Sequence, residues 1–274
     1  MLREKLVQQH HAHKPHEFRW RSREISRLEG LSDAIFGFAV TLLIVALEVP
    51  KTSGELLETM RGFVSFGLTF AILYMLWYRQ FLFFRRYGLE DTVTVVLNGL
   101  LLFVVLFFVF PLKFLLGALV DWFLWGQRTV RLRDGTVERI IQPENFPAML
   151  AIYSLGFSAI FGVFTLFYLH AYRKRRELEL NELELLDTLQ AIQTFGYAAG
   201  MTLLIPLYGL VTVLVAGKPY EDRAVLAATV VLFAAILFVS RLRFKRRRRR
   251  RELVARMAAL GGDGAVRAEP GVES

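Results

Sequence analysis

Residues 27–50 read RLEGLSDAIFGFAVTLLIVALEVP, and the rest of the fold follows from how this stretch is read. From Leu31 to Val49 it is almost wholly apolar, close to the roughly 20 residues a helix needs to cross about 30 Å of hydrocarbon. Its leading end is different, because Arg27, Glu29, Ser32 and Asp33 fall within two turns. An ionisable residue at the edge of a span is costly unless it faces protein or water, so Asp33 marks a functional candidate. Ser32 or Asp33 could equally serve as a helix cap at the membrane surface.

Helical geometry sorts the same residues into faces. At about 100° per residue, Phe38, Leu42, Val45 and Val49 fall within about 60° of one another and form a wholly apolar stripe. Asp33 and Gly37 lie off that stripe. Ala34, Gly37 and Thr41 make a neighbouring face of small residues on which another helix can pack closely. The helix is therefore expected to turn one side toward a partner or an opening and to be held by its flank.

Outward from this stretch, further apolar windows run Phe63–Phe84, Val93–Leu116, Phe146–Leu169, Ile192–Ala216 and Ala224–Phe238. With Leu31–Val49 these predict six transmembrane helices in an all-α integral membrane protein. Basic residues set the orientation: with both termini cytoplasmic, the inner segments hold 25 Lys and Arg and the outer segments 9. The chain then divides into a cytoplasmic arm over 1–30, a six-helix domain over 31–244, and a polybasic segment with a disordered tail over 245–274. Arg246–Arg251 follow the last span directly, where they are expected to lie against anionic lipid headgroups rather than nucleic acid. Thr129–Ile141, TVRLRDGTVERII, carries an Asp134-Gly135 turn between β-branched residues and predicts a hairpin on the outer side. Arg173–Asp187 is charged and rich in Glu and Leu, which predicts that the fourth helix continues beyond the membrane.

Composition narrows the chemistry. The 274 residues are 54% hydrophobic, yet carry 34 Lys and Arg against 25 acids, and a membrane protein is the ordinary way to segregate the two. No cysteine is present, so disulfides, thiolate catalysis and Cys-based metal sites drop out. His10, His11, His13 and His16 precede every apolar stretch; their surroundings read as a polar arm rather than a metal site. The 24 Phe read as lipid-facing and packing residues, and Trp122, Trp125, Tyr153 and Tyr172 as interfacial ones. No convergent set of acids, bases or ligands appears at membrane depth, so no enzyme is expected.

Three stretches carry a resemblance. Arg27, Leu31, Ser32 and Asp33, followed eight residues after the Asp by Thr41-Leu42, form a pattern close to Arg-x-x-x-Phe-Ser-Asp. Ser65-Phe66 with Leu76–Phe81 (LWYRQF), and Leu97–Pro111 (LNGLLLFVVLFFVFP), extend it through the second and third spans. The pattern resembles the transmembrane protein 175 family of potassium channels. Leu31 stands where the family has Phe, Gln80 where it has His, and Phe38 where a smaller aliphatic is usual. Replacing the His removes a titratable member.

The resemblance implies a homotetramer in the cell membrane, with the first helix of each subunit lining a central pore. It implies that K⁺ is the permeant ion, that no cofactor is needed, and that the constriction falls on Phe38, Leu42 and Val45. It also implies that Arg27, Ser32, Asp33 and Thr41 belong to the pore-helix motif, its polar members joined to Arg79 or Gln80 and to Asn98. A narrow apolar ring excludes ions by dewetting and needs no ring of carbonyls. The rival reading is a secondary transporter or proton pathway in which Asp33 carries the coupled charge.

Overall fold

The computed structural model describes residues 18–22, 24–45, 50–126, 128–131, 135–142 and 145–216. Helix α1 spans Arg27–Val45, α2 Ser53–Tyr87, α3 Thr92–Trp125, α4 Phe146–Arg173 and α5 Glu182–Ala216. Two short strands, β1 (Thr129–Arg131) and β2 (Val137–Arg139), lie between α3 and α4.

The helix starts are written locally. Ser26 Oγ accepts the Glu29 N–H at 3.1 Å while the Glu29 carboxylate accepts the Ser26 N–H at 3.0 Å, a reciprocal cap that satisfies two orphan donors. Thr52 caps α2 by accepting the Glu55 N–H, and Asp91 caps α3 by accepting the Thr94 N–H. Gly88 and Gly126 close α2 and α3 in the left-handed region, at φ 59° and 64°, a conformation a side chain disfavours.

α1, α2, α3 and α4 are each long and apolar enough to cross a membrane. The 35 residues of α2 and 34 of α3 give roughly 50 Å apiece at 1.5 Å per residue, well beyond the hydrocarbon thickness. α5 contains the predicted fifth span, Ile192–Ala216. The predicted sixth span, Ala224–Phe238, the polybasic run Arg246–Arg251 and the N-terminal histidines lie outside the described residues.

α1 packs on α2 and α3, α3 packs on α4, and α4 and α5 form the most extensive pair. The core is aromatic: Phe83 and Tyr87 of α2 meet Phe167 and Tyr168 of α4, with the Phe83 and Phe167 rings 4.7 Å apart. α3 and α4 approach so closely that a Cβ on Gly156 would stand 2.2 Å from the Phe108 ring. Pro111 inside α3 has no N–H to give, and the Tyr153 hydroxyl of α4 donates to its carbonyl at 3.0 Å, tying that turn to its neighbour. β1 and β2 pair antiparallel, Thr129 opposite Arg139 and Arg131 opposite Val137, with Gly135 at φ 87° in the turn.

The structure corrects two expectations here: α1 is capped by Ser26 rather than by Ser32 or Asp33, which lie inside it, and the fourth helix is shorter than expected. The fourth helix does not continue through Arg173–Asp187: α4 ends at Arg173, the chain turns, and α5 begins at Glu182. Glu179 sits at φ 46°. Asn181 and Glu184 form a second reciprocal cap, which starts a new helix where the run of Glu and Leu had suggested one unbroken helix.

Candidate functional site

Ser32 is the centre of the polar site. Its side chain is buried at 2% exposure, and its hydroxyl donates to the Leu28 carbonyl one turn back, at 2.8 Å. The same oxygen accepts from Gln80 Nε2 of α2 at 3.0 Å and from Asn98 Nδ2 of α3 at 2.9 Å. Gln80 Nε2 also donates to Asn98 Oδ1. Three helices are thus joined through side chains that are all fully buried. Such a network rigidifies its surroundings only when every member is satisfied, and here each finds a partner.

The other members of the motif are placed differently. Asp33, one residue on, is exposed, and its carboxylate accepts the Trp77 indole N–H at 2.7 Å. Thr41 is exposed and donates back to the Gly37 carbonyl of its own helix. Arg27 is exposed at the first position of α1, apart from the network, and Arg79 is exposed as well. The second-span member is Gln80.

α1 has two unlike faces. Phe36, Ala39 and Leu43 are buried with Ser32 on the side toward α2 and α3. Phe38 and Val45 are 56% and 72% exposed, Leu42 is partly exposed, and Val49 lies outside the described residues. The small-residue flank is open too: beyond α1's own backbone, no described residue lies within 4 Å of a Cβ built on Gly37. Among the described residues, therefore, α1 is held by its Ser32 face, and no described helix covers the Ala34, Gly37 and Thr41 flank.

A family model described as endosomal/lysosomal potassium channel TMEM175 matches residues 27–108, which hold the whole Ser32–Gln80–Asn98 network. A protein of Marivirga tractuosa named potassium channel is 36% identical over 201 residues, 72% of this chain and 78% of that protein. The chain belongs to the TMEM175 family. A potassium channel of Chamaesiphon minutus is 31% identical over 105 residues, covering 35% of this chain and 52% of that protein. The crystal structure of a variant of the potassium channel MtTMEM175, bound to a nanobody–MBP fusion protein, matches with a TM-score of 0.71 and 31% identity, over 84% of this chain and 97% of that one. Membership makes this a multi-pass membrane protein of an ion-channel family and not an enzyme.

Relative to the motif of the TMEM175 family, the structure adds residues that sequence reasoning missed. Residues 18–22 run beside the end of α2, where the Arg21 N–H donates to the Arg85 carbonyl at 3.0 Å. Arg21 Nη2 donates to Glu184 Oε2 at 2.7 Å, the Arg19 N–H donates to Glu184 Oε1 at 3.0 Å, and Arg19 and Arg21 reach the carbonyls of Glu179 and Leu178. Burial pushes the Glu184 carboxyl up, but the bonds from Arg21 and Arg19 outweigh it and hold it below its ordinary value. The segment leading into α1 is thereby clamped to the α4–α5 turn. Neither the Asn181 and Glu184 cap nor its long-range arginine partners was anticipated, the run of Glu and Leu having pointed to a continuous helix.

A second cluster joins α3 to α4. Asp91 accepts from His170 Nε2 at 2.7 Å and pairs with Lys174 Nζ at 2.9 Å. Desolvation raises the Asp91 pKa, yet the bonds from Thr94, Lys174 and His170 prevail and hold the carboxyl well below the usual range. At the other end of α1, Lys113 of α3 donates to the Leu43 carbonyl at 3.2 Å, satisfying one of the acceptors that a helix C-terminus leaves open.

Proposed function

We propose that the chain is one subunit of a potassium-selective channel in the cell membrane, a homotetramer whose first helices surround the pore. Phe38, Leu42 and Val45 form the constriction, and it serves as both gate and filter. The observation that supports this reading is the two-faced α1: its polar face is fastened to α2 and α3 while its apolar stripe is left uncovered by the described residues. A stripe buried between spans of one subunit could not line an opening shared by several. Four copies of the stripe around an axis would make a dry ring that ions pass only when wetted.

The uncovered Ala34, Gly37 and Thr41 flank suits close packing against the next copy, where small residues let backbones approach. Both termini face the cytoplasm in this reading, with Arg246–Arg251 against anionic headgroups. Names in the family point to K⁺, and Asp33 acts as a structural partner of Trp77 rather than as a carrier of coupled charge.

The test is a bilayer recording of the purified protein in opposed K⁺ and Na⁺ gradients. Unitary currents reversing near the K⁺ equilibrium potential are expected. Saturating, proton-coupled flux lost in Asp33→Asn would instead establish the transporter reading.

A further inference from the structure

A second feature lies at the opposite end of the molecule from the clamp. Gly126, in the left-handed region, reverses the chain after α3, and Ile140 N–H donates to the Arg128 carbonyl at 3.0 Å, closing the base of the hairpin. The base of the hairpin lies beside the last turns of α3, and between them is a cavity of about 260 Å³. Ala118, Trp122, Ile140 and Ile141 form its apolar walls, and Arg128 and Arg139 complete its lining. The Arg128 guanidinium sits 5.5 Å over the Trp122 ring.

Two cations are thus brought to one cavity, and like charges held together are destabilising unless an anion lies between them. Among the described residues no carboxylate lines this cavity; Glu138, the strand neighbour of Arg139, instead accepts from Gln142 at 3.0 Å. Depth fixes the kind of anion. α3 is about 20 Å longer than the hydrocarbon core, and its last turns carry Trp122 and Trp125, residues that settle at headgroup level.

We propose that this cavity is a binding site for an anionic phospholipid, with its phosphate between Arg128 and Arg139 and its glycerol and upper acyl chain along Ala118, Trp122 and Ile141. Paired guanidiniums match phosphate oxygens in geometry as well as charge. The apolar walls select a lipid over a free anion, and the assignment is independent of what the protein conducts.

Native mass spectrometry of the full chain in detergent, titrated with dioleoyl phosphatidylglycerol or dioleoyl phosphatidylcholine, tests this. One phosphatidylglycerol per chain should bind preferentially, and Arg128→Gln with Arg139→Gln should weaken that site roughly thirtyfold. Lysine at both positions should restore the part of the affinity that charge supplies but not the part that guanidinium geometry supplies. Replacing Arg246–Arg251 by Gln should leave this site intact, which separates it from lipid held by the tail. Equal binding of the two lipids, or full retention of phosphatidylglycerol by the double Gln variant, would overturn the assignment. Displacement of the lipid by millimolar inorganic phosphate would overturn it too, in favour of a free-anion site.

Discussion

Asn98 of α3 donates its amide N–H to the hydroxyl of Ser32 on α1 at 2.9 Å, in the same place where Gln80 of α2 donates at 3.0 Å. One oxygen therefore registers three helices. Ser32→Ala would leave two buried amide donors without that acceptor, at about 1–3 kcal/mol for each group left unsatisfied. A lower melting temperature in detergent is expected. A Ser32→Ala/Asn98→Ala cycle should show losses smaller than additive, because both changes break one shared bond.

Leu42→Asn places an amide on the stripe without touching the Ser32 face. Basal K⁺ current in reconstituted bilayers should rise, since a polar ring wets at a width where an apolar one stays dry. Phe38→Ala should act in the same direction by widening. Variants that fold normally yet pass no more current than the parent would remove α1 as the gate.

Glu184 is 1% exposed and holds both Arg21 and Arg19. Glu184→Gln keeps the shape but loses the charge, and should cost about 1–3 kcal/mol. That is less than the about 3–5 kcal/mol of breaking a fully buried pair, because Arg19 is partly exposed. Limited proteolysis near Arg21 should speed up in the variant, as the segment before α1 is released from the α4–α5 turn.

The Asp91 cluster gives acid sensitivity of known sign. Its carboxyl is held below its ordinary value in the folded chain, so the associated stability is complete above the unfolded pKa of about 3.9 and is lost as pH falls through the lower folded value. Asp91→Asn should lower the melting temperature at pH 7 and flatten its fall on acidification. Parallel melting curves for variant and parent between pH 7 and pH 3 would contradict this.

Gly156→Ala should destabilise by about 1–3 kcal/mol through overpacking, because the new methyl would meet the Phe108 ring at 2.2 Å. Phe108→Leu should recover part of that loss. A neutral Gly156→Ala would mean that α3 and α4 can part more readily than their packing indicates.

By itself the sequence determined that several helices cross a membrane, since runs near 20 apolar residues have few other uses, and it marked α1 through Ser32 and Asp33. The Asp134-Gly135 turn was legible because it depends on neighbours in the chain, whereas the cap of α1 lies at Ser26 and not at Ser32 or Asp33. Helical spacing sorted α1 into faces, but which of them packs was not legible, since Phe36, Ala39 and Leu43 are as apolar as Phe38, Leu42 and Val45, and lipid is as apolar as leucine. Hydrophobic pattern cannot distinguish a packed side from an open one under those conditions. The tertiary structure decided it, because Ser32 must lie within reach of Gln80 and Asn98, residues 48 and 66 positions away in the chain. The same holds for Glu184, whose arginine partners stand 163 and 165 positions off, and for Arg27, whose place apart from the network no spacing could reveal.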